Sequence, residues 1–184
     1  MKQKLLYSAF SLAVILLFAV TGMSQGNPSN LSQPIPGGWN NPGTHPDFIV
    51  RSGTQLGRIF RDGNATLCGN KPFPGTFSTS STYNYTAFRF YNNSAEPVCI
   101  TVNFDPSAGA PACNTNAHAH VYQDAGGTDP NPYYPASMAT NFLADVGSSV
   151  TQPFYATVGP GNFEIVFTNT SSANACNFSF SVTD

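Results

Sequence analysis

Charge is what this chain has least of. Lys, Arg, Asp and Glu make up 9% of its 184 residues, seven basic against nine acidic, where about a quarter is usual. The basic residues form no cluster able to meet a phosphate backbone, which excludes nucleic acid as a partner. Histidine is confined to His45, His118 and His120, and Trp39 is the only tryptophan. No Gly-x-Ser-x-Gly elbow, His-Glu-x-x-His helix or phosphate-cradling glycine loop is present. With so few titratable groups to converge on a substrate, neither enzymatic chemistry nor a cofactor is expected. Long apolar runs are also missing after residue 20, so no membrane span is expected in the mature chain.

The one apolar run, Leu12 to Val20, follows the basic start Met1-Lys2-Gln3-Lys4 and precedes the small residues of Gly22-Met23-Ser24. This order predicts a secretory signal peptide over residues 1–24, cut before Gln25, and a secreted or cell-surface bacterial protein. Without Lys2 and Lys4 the mature chain has five basic residues against nine acidic ones, a formal charge of −4. Its polarity comes from Asn, Ser and Thr, punctuated by 16 Gly and 15 Pro. Four cysteines remain, Cys68, Cys99, Cys113 and Cys176. An even number behind a signal peptide predicts two disulfides, and the spacings do not suit a zinc site. Three connectivities are open; the favoured one joins Cys68 to Cys99 and Cys113 to Cys176.

From residue 76 onward, short alternating stretches are separated by turn residues. Phe88 and Phe90 share a face, and Val98, Ile100, Val102 and Phe104 alternate with Cys99, Thr101 and Asn103, the period of two that a half-buried strand requires. Ala117, Ala119 and Val121 repeat the pattern, as do Phe154, Ala156 and Val158. Phe163, Ile165 and Phe167 follow the turn Gly159-Pro160-Gly161, and Phe178, Phe180 and Val182 end the series. With Thr76 to Ser80 these make seven strands and no convincing helix, which predicts an all-β, Ig-like or jelly-roll antiparallel sandwich over residues 54–184. The proline-rich stretch Asp124 to Thr140 is read as a surface loop.

Residues 25–53 are different in kind. Five prolines and five glycines prevent regular structure over most of this length, yet Trp39 and Phe48-Ile49-Val50 are strongly apolar. Asp47 to Arg51 alternates, placing Phe48 and Val50 on one face and Ile49 on the other. The segment is read as an extended arm whose strand needs a sheet, with Trp39, Phe48, Ile49 and Val50 as its interface. Full burial of Phe48 and Val50 is worth roughly 1.5 to 3 kcal/mol each.

Other chemistry-bearing residues have plainer readings. The alternation His118-x-His120 puts two imidazoles on one strand face, as a copper or zinc site would, but a third ligand is missing, and the pair is read as decorating the outward face. Asp124, Asp129 and Asn131 around Gly126-Gly127 do not match the spacing of a calcium loop and are read as a turn. Six Asn-x-Ser/Thr sequons, at Asn30, Asn64, Asn84, Asn92, Asn169 and Asn177, are read as surface composition before glycan sites. Tyr83, Tyr85, Tyr91, Tyr133 and Tyr134 are the aromatics on which a sugar would stack.

The segments Gly57-Arg58-Ile59-Phe60-Arg61-Asp62-Gly63, Lys71-Pro72-Phe73-Pro74-Gly75-Thr76-Phe77, Pro97 to Val102, Thr115 to Ala119, Asn141 to Gly147, Phe154 to Gly161 and Cys176 to Val182 resemble a secreted bacterial module. That module is related to the pre-peptidase C-terminal type β-sandwich. The resemblance covers residues 54–184 and brings no catalytic residue with it. A single module behind an arm resembles subunits of extracellular fibrils assembled by donor-strand exchange. It implies a homopolymer whose partners are copies of itself, formed when the arm strand of one subunit enters its neighbour as in a pilus. The alternative is a monomeric adhesin or carbohydrate-binding module.

Overall fold

A computed structural model describes residues 35–38, 50–171 and 176–183. The chain is an all-β sandwich of two antiparallel sheets. Its strands are β1 (Ile35–Gly38), β2 (Val50–Ile59), β3 (Thr76–Asn92), β4 (Val98–Asp105), β5 (Ala117–Tyr122), β6 (Phe142–Asp145), β7 (Gln152–Val158), β8 (Gly161–Asn169) and β9 (Asn177–Thr183). One sheet has the order β1-β9-β4-β7 and the other β2-β3-β8-β5-β6. Among the described residues, no helix is long and apolar enough to cross a membrane.

The inner faces carry the alternating apolar residues. Ile100, Val102 and Phe104 of β4, Phe154, Ala156 and Val158 of β7, and Phe178, Phe180 and Val182 of β9 meet Phe88, Phe90, Phe163, Ile165 and Phe167 of the opposite sheet. Phe167 stacks on Phe178 with ring centroids 4.4 Å apart, and Phe88 meets Phe180 edge-on at 5.0 Å. Cys113–Cys176 lies within this core, while Cys68–Cys99 joins the segment before β3 to β4. The favoured pairing of the four cysteines is the one observed.

All seven expected strands are present, two of them merged. Thr76 to Ser80 and Thr86 to Asn92 are parts of one strand, β3, because Tyr83 and Tyr85 continue the alternation between them and are buried. Three further strands lacked a local signal: β1, within the stretch whose prolines and glycines were expected to prevent regular structure, β6 and β2. The four-residue β6 is too short for a period to register, and β2 is interrupted by a register shift between Leu56 and Arg58. Starting at Val50, β2 runs through the boundary expected between residues 53 and 54, so the last four residues of the expected arm pair with β3.

A second apolar cluster lies on the far side of the five-stranded sheet: Ile59, Tyr85, Ala87, Tyr122, Tyr133, Met138 and Val166, with Phe73 and Phe142 packed against it. The segment 60–75 and the loop between β5 and β6 cover this outer face. Consequently β5 is buried on both sides, and β8 nearly so.

Candidate functional site: a strand edge and a covered polar face

Each sheet of an open sandwich has two edges, and an uncovered edge offers backbone groups to another strand. On one side, both edges are sealed by the chain itself. Residues 63–71 form a strap between β6 and β7: the N–H groups of Gly63, Thr66 and Lys71 donate to the carbonyls of Gly147, Asp145 and Leu143, each at 3.0 Å. On the β7 side, Tyr155 N–H donates to the Thr66 carbonyl at 2.8 Å, and Thr157 N–H to Asn70 Oδ1 at 2.7 Å. Approach is so close that a Cβ at Gly147, where φ is +72°, would lie 2.4 Å from the Asn64 carbonyl carbon; only glycine fits there. The Cys68–Cys99 bridge fastens the strap to β4.

The other side is different. The edge of the four-stranded sheet is β1, which pairs with β9 in the register Ile35↔Phe180, Pro36↔Ser179, Gly37↔Phe178 and Gly38↔Asn177. This strand comes from the N-terminal segment, and eleven residues, 39–49, lie between it and β2. Pro36 lacks an N–H, so β1 suits an edge and no inner position. Proline and glycine, three of its four residues, are poor strand formers, and the strand owes its place to the partner edge. Of the expected interface residues, Trp39, Phe48 and Ile49 lie outside the described residues. Val50 opens β2 opposite Phe88.

The second feature is the polar layer beneath the strap and the long loop. Glu164, buried on β8, accepts from Arg51 Nε at 2.8 Å and Nη2 at 2.5 Å, and from Tyr133 N–H at 3.0 Å. Arg51 Nη2 also reaches the Tyr133 carbonyl at 2.7 Å, and Tyr133 Oη donates to Gln55 Oε1. This network docks the loop onto β2 and β8. Farther along, β5 presents His118 and His120, ring centroids 4.6 Å apart, beside Asp145 of β6. All three are fully buried. His118 Nε2 lies 3.3 Å from Asp145 Oδ2, and Lys71 Nζ contacts Asp145 Oδ1. Lys71 also donates to Asp62 Oδ1 and Oδ2 at 3.0 and 3.1 Å and to the Asn64 carbonyl at 2.6 Å. Burial holds both imidazoles below their ordinary range; for His118 the Asp145 carboxylate partly opposes it, and for His120 the His118 ring adds to it. The pair is therefore neutral at pH 7.

Several sequence expectations need correcting here. His118 and His120 do face away from the inter-sheet core, but the strap and loop exclude solvent from them. Tyr83, Tyr85 and Tyr133 are buried in packing and are not available for stacking on a sugar; Tyr91 and Tyr134 are exposed. Asn92 and Asn169 are buried, Asn92 donating to the Val158 and Glu96 carbonyls, so these two sequons are structural. The long loop is pinned rather than free: Asp124 accepts from the N–H groups of Gly126, Thr128 and Asp129, the turn read from its sequence. Among the described residues, no group of three His, Cys, Asp or Glu is arranged to hold a metal ion. Comparison with protein-family models, with curated proteins and with solved structures found no match.

Proposed function

We propose that the chain is a structural subunit of an extracellular bacterial fibril, in which the N-terminal strand of one copy lies on the β9 edge of the next. The observation that carries this reading is the asymmetry of the edges. The module's own strap covers β6 and β7, whereas β9 is covered by four residues of a segment that precedes the module. A contact of this kind is the same whether the strand belongs to its own subunit or to a neighbour. Exchange in one direction is heterologous and does not close except as a ring, so it propagates as a filament. The two disulfides suit an oxidising compartment, and a surface low in charge and rich in Asn, Ser and Thr suits an extracellular assembly.

The resemblance to single-module fibril subunits points the same way. Deletion must respect the strand that starts at Val50 and the Arg51–Glu164 pair. Removing residues 25–49 is expected to leave a folded, soluble domain and to abolish filaments in negative-stain electron microscopy. A full-length protein that stays monomeric at high concentration, with residues 25–49 resistant to protease, overturns the reading. The adhesin alternative predicts a monomer retained on a glycan column.

A further inference from the structure

We propose that Lys71 and Asp145 are joined by an intramolecular isopeptide bond, formed by the folded protein from its own side chains. The two residues come from segments already fixed side by side. Lys71 N–H donates to the Leu143 carbonyl, and Thr66 is tied to Asp145 three times: through its N–H at 3.0 Å, through Oγ1 to the Asp145 carbonyl at 3.1 Å, and by accepting Asp145 N–H at 3.0 Å. Between these ties Lys71 Nζ is held against Asp145 Oδ1. The Asp145 side chain is fully buried, with Lys71 Nζ against Oδ1 and His118 Nε2 3.3 Å from Oδ2. A buried carboxyl group held against an amine is placed for attack by nitrogen on its carbon.

Condensation removes both charges. Nζ bonds to Cγ of Asp145, the Cγ–Oδ2 bond breaks, and Oδ2 leaves as water with two of the three ammonium protons, the third remaining on the amide nitrogen. No oxidant or co-reactant is needed. Two groups are placed to carry the protons. The first proton passes within the ion pair from Nζ to the Asp145 carboxylate that it touches, leaving a nucleophilic amine and a carboxylic acid, while Asp62 holds Nζ in place. His118, with Nε2 3.3 Å from Oδ2, takes up the second as the nitrogen bonds and returns it to the departing oxygen. Its neutrality at pH 7 suits that exchange. Holding amine and carboxyl in contact substitutes for concentration, with effective molarities on the order of 10⁵–10⁸ M in well-oriented intramolecular reactions. Loss of the buried Asp145 charge and its half-buried Lys71 partner removes a desolvation penalty, and the retained amide proton has the Asn64 carbonyl as acceptor.

The bond would fasten the strap to β6 covalently, as Cys68–Cys99 fastens it to β4, and it does not depend on how the N-terminal strand is exchanged. The test is the intact mass of the full chain recovered from an oxidising compartment, with its disulfides reduced. The expected mass is one water, about 18 Da, below the sequence mass of the mature chain. Tandem mass spectrometry is expected to find the segments containing Lys71 and Asp145 linked. Lys71→Arg keeps the positive charge but is expected to show the full sequence mass, and His118→Ala to show a slower loss of water after refolding. Wild-type protein at its full sequence mass after prolonged incubation at neutral pH overturns the proposal and leaves an ion pair only. A loss of water mapped to ring closure at Asp62-Gly63 overturns it as well.

Discussion

Two buried residues of the outer face set the protein's response to pH and to substitution. His120 is fully buried, and burial, with the neighbouring His118 ring adding to it, depresses its pKa well below the ordinary value. The unfolded chain therefore binds a proton that the folded chain refuses. Stability contributed by the neutral ring is complete above the unfolded pKa of about 6.5 and is lost as pH falls below it. Urea midpoints are expected to be flat between pH 7 and 8 and to decline from pH 6.5 to 5. The slope approaches 1.4 kcal/mol per pH unit for each proton taken up. His120→Gln is expected to remove about one proton from that slope, and an unchanged slope would assign the acid sensitivity to other groups. Glu164 gives the second residue-scale prediction. With Arg51 removed, its carboxylate keeps only Tyr133 N–H as a partner among the described residues. Arg51→Ala is expected to destabilise the fold by about 3 kcal/mol, within the range for breaking one partner from a buried pair. The Arg51→Met, Glu164→Leu double variant should recover much of this, read from chemical denaturation.

At the scale of elements, the strap decides which edges of the sandwich are open. It has no repeating secondary structure of its own and is held by backbone bonds to β6 and β7, one disulfide and the Lys71 contacts. Replacing Cys68 and Cys99 by Ser removes a link that closes a 31-residue separation and is expected to cost about 2 to 4 kcal/mol. Exposure should follow at the amides the strap covers: hydrogen exchange at Tyr155 and Thr157 is expected to accelerate far more than at the β4 amides within the sheet. The same element explains which parts of the architecture were legible in the sequence. Strands β4, β7 and β9 have one buried and one partly exposed face, and that contrast produces the alternation of Val98 to Phe104, Phe154 to Val158 and Phe178 to Val182. In β5 the same alternation, Ala117, Ala119 and Val121 against His118, His120 and Tyr122, suggested an outward solvated face, although all six residues are buried. What covers them is the strap around Lys71 and the loop around Tyr133, distant in sequence and without periodicity. No local pattern encodes such a contact. The polar cluster was thus visible as two histidines and invisible as a site.

For the whole molecule, the question is whether β1 lies on its own β9 or on that of a neighbour. The contact has the same backbone bonds either way, so measured stability does not separate the cases, whereas connectivity does. Eleven residues between Gly38 and Val50 span at most about 36–40 Å when extended. Pro36 and Ser179 are opposed in the β1–β9 register, and directly opposed positions on antiparallel strands lie within the range that a disulfide bridges. The double variant Pro36→Cys, Ser179→Cys, oxidised after assembly, therefore reports on the path of the chain. Exchange between subunits is expected to give a ladder of covalent oligomers on non-reducing gels, collapsing to one band on reduction. Closure within a subunit would give a cross-linked monomer alone and exclude the fibril. A synthetic peptide of residues 25–49 added during assembly provides an independent check. Under exchange it competes for the β9 edge and shortens filaments in proportion to its concentration, because each bound peptide removes one site at which the next subunit can add.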